Sequence, residues 1–144
     1  MLSRIALTSP TARRLFASST KAAASSRDIT RIDPNTLPTM SQAVVHKDIV
    51  YLSGQVDGTA PDLEGQMKNV LAKIDSLLEN AGTDKSRLIT SNIWLKDIGN
   101  DFGKMNEIWN AWVDPENKPV RATVESNLAF PNMLVEVQVT AAKK

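Results

Sequence analysis

The chain has 144 residues, of which 42% are hydrophobic and 23% are charged, and this suits one globular domain. It has no cysteine and a single histidine, His46, which excludes a disulfide framework, a thiolate metal site, a cysteine nucleophile and a histidine-rich metal centre. No apolar run approaches the roughly 20 residues that a membrane-spanning helix needs. The sequence therefore predicts neither a bound metal nor a membrane segment.

The first 27 residues differ from the rest of the chain in charge and composition. All 16 acidic residues lie from Asp28 onward, whereas residues 1–27 carry five basic ones and are rich in Ser, Thr and Ala. This composition is typical of a mitochondrial transit peptide, and "ARRLFASS" resembles a matrix-protease site with cleavage after Phe16. We expect residues 1–27 to direct the protein to the mitochondrial matrix; the alternative is a disordered basic tail on a cytosolic protein.

The remainder, residues 28–144, is predicted to form one domain because it contains no internal repeat and no long linker. It holds 12 basic residues against 16 acidic ones, a net charge of −4. Proteins that bind nucleic acid through the phosphate backbone need a basic surface. The charge of this body therefore argues against a general DNA or RNA partner.

The first elements read as strands. "ITRI", Ile29–Ile32, predicts a short strand that "DPNTLP" stops. "SQAVVHKDIVYLSGQV" predicts a hairpin with arms at Ala43–His46 and Ile49–Ser53 and a turn at Lys47-Asp48.

Two helices are predicted further along the chain. The first has an apolar stripe at spacings of three and four residues, a start at Thr59 or Asp62 and an end near Gly82; the stripe consists of Met67, Val70, Leu71, Ile74, Leu77 and Leu78. The second spans about Asp101 to Val113, and its predicted buried face holds Phe102, Met105, Trp109 and Trp112.

Three more strands complete the prediction, at Leu88–Leu95, Val120–Ser126 and Met133–Ala142. The resulting order, β, β-hairpin, α, β, α, β, β, indicates an α/β protein of the α+β type. Two helices can cover only one face of such a sheet. The other face must meet water or another subunit.

Arg121 stands among the polar positions of the penultimate strand. If the last two strands form an antiparallel hairpin centred between Leu128 and Ala129, Arg121 lies opposite Glu136 on the face without helices. The pair is then either a cross-strand ion pair or a site in which Arg121 binds a carboxylate and Glu136 positions or deprotonates a water.

Four segments carry a resemblance to a known family. "YLSGQV", "IWLKDIGNDFGKMNEIWNAWV", "PVRATVE" and "VEVQVTAA" resemble the RidA/YjgF enamine/imine deaminases over Ile32–Ala142, and are most similar to their YoaB-like branch. The resemblance implies a chorismate-mutase-like domain with a mixed sheet of about six strands. It also implies a homotrimer with three sites at the subunit clefts.

The same resemblance implies a reaction. Reactive 2-aminoacrylate, 2-iminopropanoate and 2-iminobutanoate would be hydrolysed to 2-keto acids and ammonia, with no cofactor and no metal. Carried onto this sequence, Arg121 matches the arginine that holds the substrate carboxylate and Glu136 the glutamate associated with the hydrolytic water. Ser53, Gly54 and Asn106 match residues of the cleft.

Two positions depart from the family pattern. Met40 stands where the resemblance implies a tyrosine of the pocket, and Thr123 stands in place of a cysteine two residues after the arginine. Thr123 still offers a hydroxyl, whereas Met40 cannot donate a hydrogen bond. Two other functions stay open: a non-catalytic trimer that binds small carboxylates or other proteins through the Arg121 clefts, and RNA cleavage or translation inhibition, which the acidic body disfavours.

Overall fold

The structure, a computed structural model, describes residues 29–33 and 35–144. The predicted transit peptide lies outside this range. The elements follow one another as β1 (Ile29–Ile32), β2 (Ala43–His46), β3 (Ile49–Leu52), β4 (Gln55–Val56), α1 (Leu63–Asn80), a short 3₁₀ turn (Lys85–Arg87), β5 (Leu88–Leu95), α2 (Ile98–Trp112), β6 (Val120–Glu125) and β7 (Val135–Ala142).

The strands form one mixed sheet in the order β1-β2-β3-β7-β5-β6, with β4 pairing with β7 beyond the end of β3. Both helices pack on one face of this sheet, which confirms the predicted α+β architecture. The sheet has seven strands rather than about six, because the two-residue β4 carried no sequence signal. Neither helix in the part described is long and apolar enough to cross a membrane.

The helix ends follow from local chemistry. Asp62, one of the two predicted caps, begins α1, since its Oδ1 accepts a hydrogen bond from the Gly65 N–H at 2.8 Å. Gly82 follows α1 with a φ of 77°, a conformation that favours glycine. The second helix begins at Ile98, earlier than predicted, because Asp97 caps it by accepting from the Asn100 N–H.

The core lies between the helices and one face of the sheet. The predicted stripe of α1 is buried in full, as are Val135, Val137 and Val139 of β7. The prediction for the second helix was wrong at Phe102, which is exposed; the residues that α2 buries are Met105 and Trp109. The apolar periodicity therefore located the core but extended it one turn too far.

The predicted hairpin between the last two strands is wrong. The β5 strand lies between them, parallel to β6 and antiparallel to β7. The physical reason is the helix α2, which returns the chain so that β6 runs parallel to β5. Gln66 of α1 then fixes the connection into β7, because its amide donates to the Asn132 carbonyl at 2.8 Å and accepts from the Leu134 N–H at 2.8 Å.

The predicted common face of Arg121 and Glu136 is wrong for the same reason. Arg121 pairs with Ser91, which is buried on the helix side of β5. Glu136 pairs with Trp94 and lies between two buried valines, so it points to the face without helices. The two side chains therefore occupy opposite faces of the sheet.

The alternation of β6 is also inverted with respect to the prediction. Val120 and Val124 alternate with Arg121 along the strand, so the predicted face of Arg121 would have turned them toward the helices. They are instead 70% and 49% exposed on the open side of the sheet. Arg121 and Thr123 instead face α2. An edge strand with its apolar side bare is an unusual arrangement for a monomer and is typical of an interface.

Candidate functional site

Arg121 is fixed by two neighbours on α2. Its Nη2 donates a hydrogen bond to Asn106 Oδ1 at 2.7 Å. Its Cζ lies 5.5 Å from the centroid of the Trp109 ring, within the range of a cation–π contact. The resemblance implies that Arg121 and Asn106 both belong to the cleft, and the structure places them in contact. The guanidinium is therefore held in one orientation with part of its planar donor fork free.

The electrostatics of Arg121 favour an anion. Burial lowers the pKa of Arg121, and none of the carboxylates in residues 29–33 and 35–144 forms an ion pair with it. A partly buried cation without a counter-charge is costly unless an anion completes it. A carboxylate is the ligand whose two oxygens match the fork.

Two hydroxyls lie on the same side of the sheet as Arg121. Thr123 Oγ1 and Ser91 Oγ are both buried, and neither finds a hydrogen-bond partner within the described chain. Sequence reasoning missed Ser91. The alternation of β5 could have identified it, because Ser91 lies two residues before Ile93 and four before Leu95, on the buried side of the strand. We call Arg121, Asn106, Trp109 and Thr123 the arginine half-site.

Glu136 lies against the backbone of Gly54. A Cβ built on Gly54 would come within 1.8 Å of Glu136 Oε1, so any side chain there would displace the carboxylate. Partial burial raises the pKa of Glu136 above its ordinary value. Glycine at this position thus allows a desolvated carboxylate to approach the main chain.

Ser53 and Gly54 form a bulge in the sheet. Three residues separate Tyr51 from Gln55, whereas two separate their partners on β7. Such bulges bend a strand and redirect side chains. The Ser53 hydroxyl is already engaged, donating to the Gln42 carbonyl at 3.1 Å and accepting from Gln55 Nε2 at 2.9 Å. It therefore holds the bulge in shape.

Met40 lies close to the same bulge. Met40 and Gly54 line one cavity of about 430 Å³ between the segment before β2, the strand β4 and the helix α1. We call Glu136, Ser53, Gly54 and Met40 the glutamate half-site. Within the part of the chain described, no cluster of three acidic, His or Cys side chains could hold a metal ion.

The two half-sites are apart in one protomer. Neighbouring strands of a sheet lie about 4.8 Å apart, so β6 and β7, on either side of β5, are separated by roughly 10 Å. Because Arg121 and Glu136 also point to opposite faces, a molecule of a few atoms cannot touch both within one chain. The predicted catalytic pair is therefore not assembled by a single protomer.

Comparison with known proteins agrees with this fold. The sequence model of the family described as endoribonuclease L-PSP matches residues 30–143. The RutC family protein YoaB of Escherichia coli is 39% identical over 114 residues, which are 79% of this chain and 97% of YoaB. A RutC family protein of Haemophilus ducreyi is 39% identical over 115 residues, 79% of this chain and 96% of that protein.

A solved structure shows the same likeness. NMB1025 of Neisseria meningitidis, a member of the YjgF family, superposes with a TM-score of 0.78 at 38% identity, covering 83% of this chain and 98% of the other. Homology to these proteins thus explains the two helices, the mixed sheet and the order of the sequence motifs. The chain belongs to the endoribonuclease L-PSP family, the family of the RidA, YjgF and RutC proteins.

Proposed function

We propose that the protein is a homotrimeric hydrolase that converts reactive 2-imino acids and their enamine forms, such as 2-aminoacrylate, 2-iminopropanoate and 2-iminobutanoate, into 2-keto acids and ammonia. The observation that carries the proposal is Arg121, a guanidinium oriented by Asn106 and Trp109 and left without a counter-charge in the described chain. A 2-imino acid supplies the missing carboxylate next to its reactive carbon.

A homotrimer is supported by the open face of the sheet. Tyr51, Val120 and Val124 expose between 48% and 70% of their surface on the side without helices. Covering this face with further copies of the chain removes apolar surface from water. Assembly with further copies would also allow the Arg121 of one protomer and the Glu136 of the next to contact the same small molecule.

The chemistry needs few groups. Arg121 holds the carboxylate, so that C2 of the imine lies beside Glu136. Glu136 accepts a proton from water as the water oxygen bonds to C2, and passes this proton to the nitrogen to give a carbinolamine. It then accepts the proton of the carbinolamine hydroxyl and delivers it to the nitrogen as the C–N bond breaks and the C=O bond of the keto acid forms. One imine and one water thus give one 2-keto acid and one ammonia. Burial raises the pKa of Glu136, which makes its carboxylate a stronger base than that of an ordinary glutamate.

We further propose that residues 1–27 direct the protein to the mitochondrial matrix. Their basic, acid-free composition supports this destination. The substrate in that compartment must be supplied by enzymes that release imino acids from amino acids.

One observation favours the alternative of a non-catalytic carboxylate-binding trimer. Met40 offers no hydrogen bond, and the Ser53 hydroxyl is engaged within the protein. The glutamate half-site therefore has few groups to orient a water besides Glu136 itself. In this alternative Arg121 still binds small carboxylates, and the bound molecule leaves unchanged.

A coupled assay separates the two functions. An amino-acid oxidase generates the imine of alanine or 2-aminobutanoate, and the disappearance of the imine is followed with and without the purified mature protein. Deaminase activity predicts accelerated loss that is proportional to protein concentration and saturates with imine. If the protein binds 2-oxobutanoate but never accelerates the loss of the imine, the binding function replaces the proposed one.

A further inference from the structure

The cavity beside Gly54 is larger than the proposed reaction of small imines requires. Its volume of about 430 Å³ lies within the range of small-molecule pockets, whereas 2-iminopropanoate has only a methyl group beyond its reactive carbon. The apolar part of the wall is formed by Leu37, Met40, Val56 and Leu77. Nothing in the hydrolytic step uses these side chains.

Two polar side chains of the wall, Gln55 and Lys73, are already paired within the protein. Gln55 Nε2 donates to Gln42 Oε1 at 3.1 Å and to Ser53 Oγ at 2.9 Å. Lys73 Nζ donates to the Val56 carbonyl at 2.7 Å and lies 3.7 Å from Asp57 Oδ1. A polar side chain entering the cavity would therefore find Gln55 and Lys73 engaged, whereas an apolar one would leave these pairings undisturbed.

The charge of the cavity wall distinguishes neutral side chains of the substrate from acidic ones. Asp33 lies on the cavity wall and is exposed. Its carboxylate would repel a second carboxylate on an entering side chain. The cavity thus suits a neutral aliphatic chain better than an acidic chain of the same length.

Gly54 connects this cavity to the reaction. It lines the cavity and also touches the Glu136 carboxylate, since a Cβ on Gly54 would lie 1.8 Å from Oε1. A substrate with its C2 atom near Glu136 can therefore extend its side chain past the bare Cα of Gly54. A side chain at this position would displace the Glu136 carboxylate.

We propose that the cavity lined by Leu37, Met40, Val56 and Leu77 binds the substrate side chain, and that the protein prefers imino acids with unbranched aliphatic side chains of three or four carbons to those with a methyl group. The proposal rests on the proposed function for the placement of the substrate near Glu136. The unbranched side chain of Met40 can change rotamer to pack against an aliphatic chain. The rigid ring of the tyrosine that the resemblance implies could not adapt in this way.

The test measures binding of stable 2-oxo acids, the reaction products, so that it does not depend on catalysis. Dissociation constants are determined by calorimetry for 2-oxopropanoate, 2-oxobutanoate, 2-oxopentanoate, 2-oxohexanoate and 2-oxoglutarate. Each methylene buried in the cavity is expected to tighten binding about threefold, hence about 30-fold between the three-carbon and six-carbon acids. The dicarboxylate is expected to bind more weakly than 2-oxohexanoate.

A pair of variants locates the effect. Ser76 is exposed on α1 and lines the cavity, so Ser76→Phe should fill the cavity without entering the core. We expect it to abolish the preference for the longer acids, because the space for their side chains is filled. Ala72→Phe, at another exposed position of α1 outside this cavity, is the matched control and should keep the preference.

The outcomes distinguish the two proposals. Affinity that does not change with chain length, or a preference that survives Ser76→Phe, overturns the side-chain pocket and leaves the deaminase proposal standing. Graded binding without any accelerated loss of imines overturns the deaminase and supports the pocket. If none of the five acids binds, the side-chain pocket is wrong, and the assay of imine loss alone decides the deaminase proposal.

Discussion

Replacing Arg121 by alanine is expected to lower kcat/KM for imine hydrolysis by a factor of about 10² to 10³. The guanidinium supplies the only fixed positive charge that the proposed mechanism offers to the substrate carboxylate. Arg121→Lys should recover only part of the loss, because an ammonium cannot donate two parallel hydrogen bonds to one carboxylate. Both rates are measured in the coupled assay.

The fold should survive these substitutions. Within the described chain Arg121 donates one side-chain hydrogen bond, to Asn106 Oδ1. A partly buried cation without a counter-charge does not stabilise a fold. Arg87→Ala, which removes an exposed arginine bonded only to the Lys143 carbonyl, is the matched control and should remain active. If Arg121→Ala keeps full activity in a folded trimer, the proposal that Arg121 binds the substrate carboxylate is wrong.

Replacing Glu136 by glutamine is expected to reduce kcat by a factor of about 10² to 10⁴ with little change in KM. The amide keeps the shape of the side chain but cannot accept the proton of the water. The substrate carboxylate would still be held by Arg121, so binding should remain. Glu79→Gln, on the exposed side of α1, provides the control.

The role of Glu136 as a base is also tested by the pH dependence of kcat/KM. The base is active when deprotonated, so wild-type kcat/KM should fall as the pH falls through the pKa of Glu136. Since burial raises this pKa above 4.5, the decline should begin at a higher pH than for an ordinary glutamate. The acid limb should be absent from the residual activity of Glu136→Gln; an unchanged limb would assign the titration to another group.

Local patterns predicted the elements because they depend on neighbours in the sequence. The stripe of α1 and the alternation of β7 each record which side of one element meets the core, and the turn at Lys47 has the positive φ that a tight hairpin needs. These features require no knowledge of the partner element. The bounds of β5 were predicted to the residue for the same reason.

Strand pairing could not be read in this way. The prediction paired β6 with β7 because they are consecutive in the sequence, whereas the structure inserts β5 between them. Nothing in "PVRATVE" distinguishes a strand that pairs with its successor from one that pairs across a helix. The inverted faces of β6 followed from this error, since its apolar positions meet the bare side of the sheet instead of the core.

The site was predicted in part for similar reasons. The resemblance named Arg121, Asn106, Gly54 and Glu136 as site residues, and the structure brings Arg121 into contact with Asn106 and Gly54 into contact with Glu136. It could not show that the pairs lie on opposite faces. Trp109 was assigned to core packing alone because its spacing is that of a buried helical face, whereas it also lies beneath the guanidinium.

The division of the site between protomers is tested most directly by mixing two inactive variants. Arg121→Ala and Glu136→Gln chains are purified separately, then unfolded together in equal amounts and refolded. If one protomer supplies Arg121 and the next supplies Glu136, about a quarter of the sites in randomly mixed trimers receive both intact residues. The account predicts that the mixture regains about a quarter of the wild-type activity; a mixture as inactive as either variant refolded alone would contradict it.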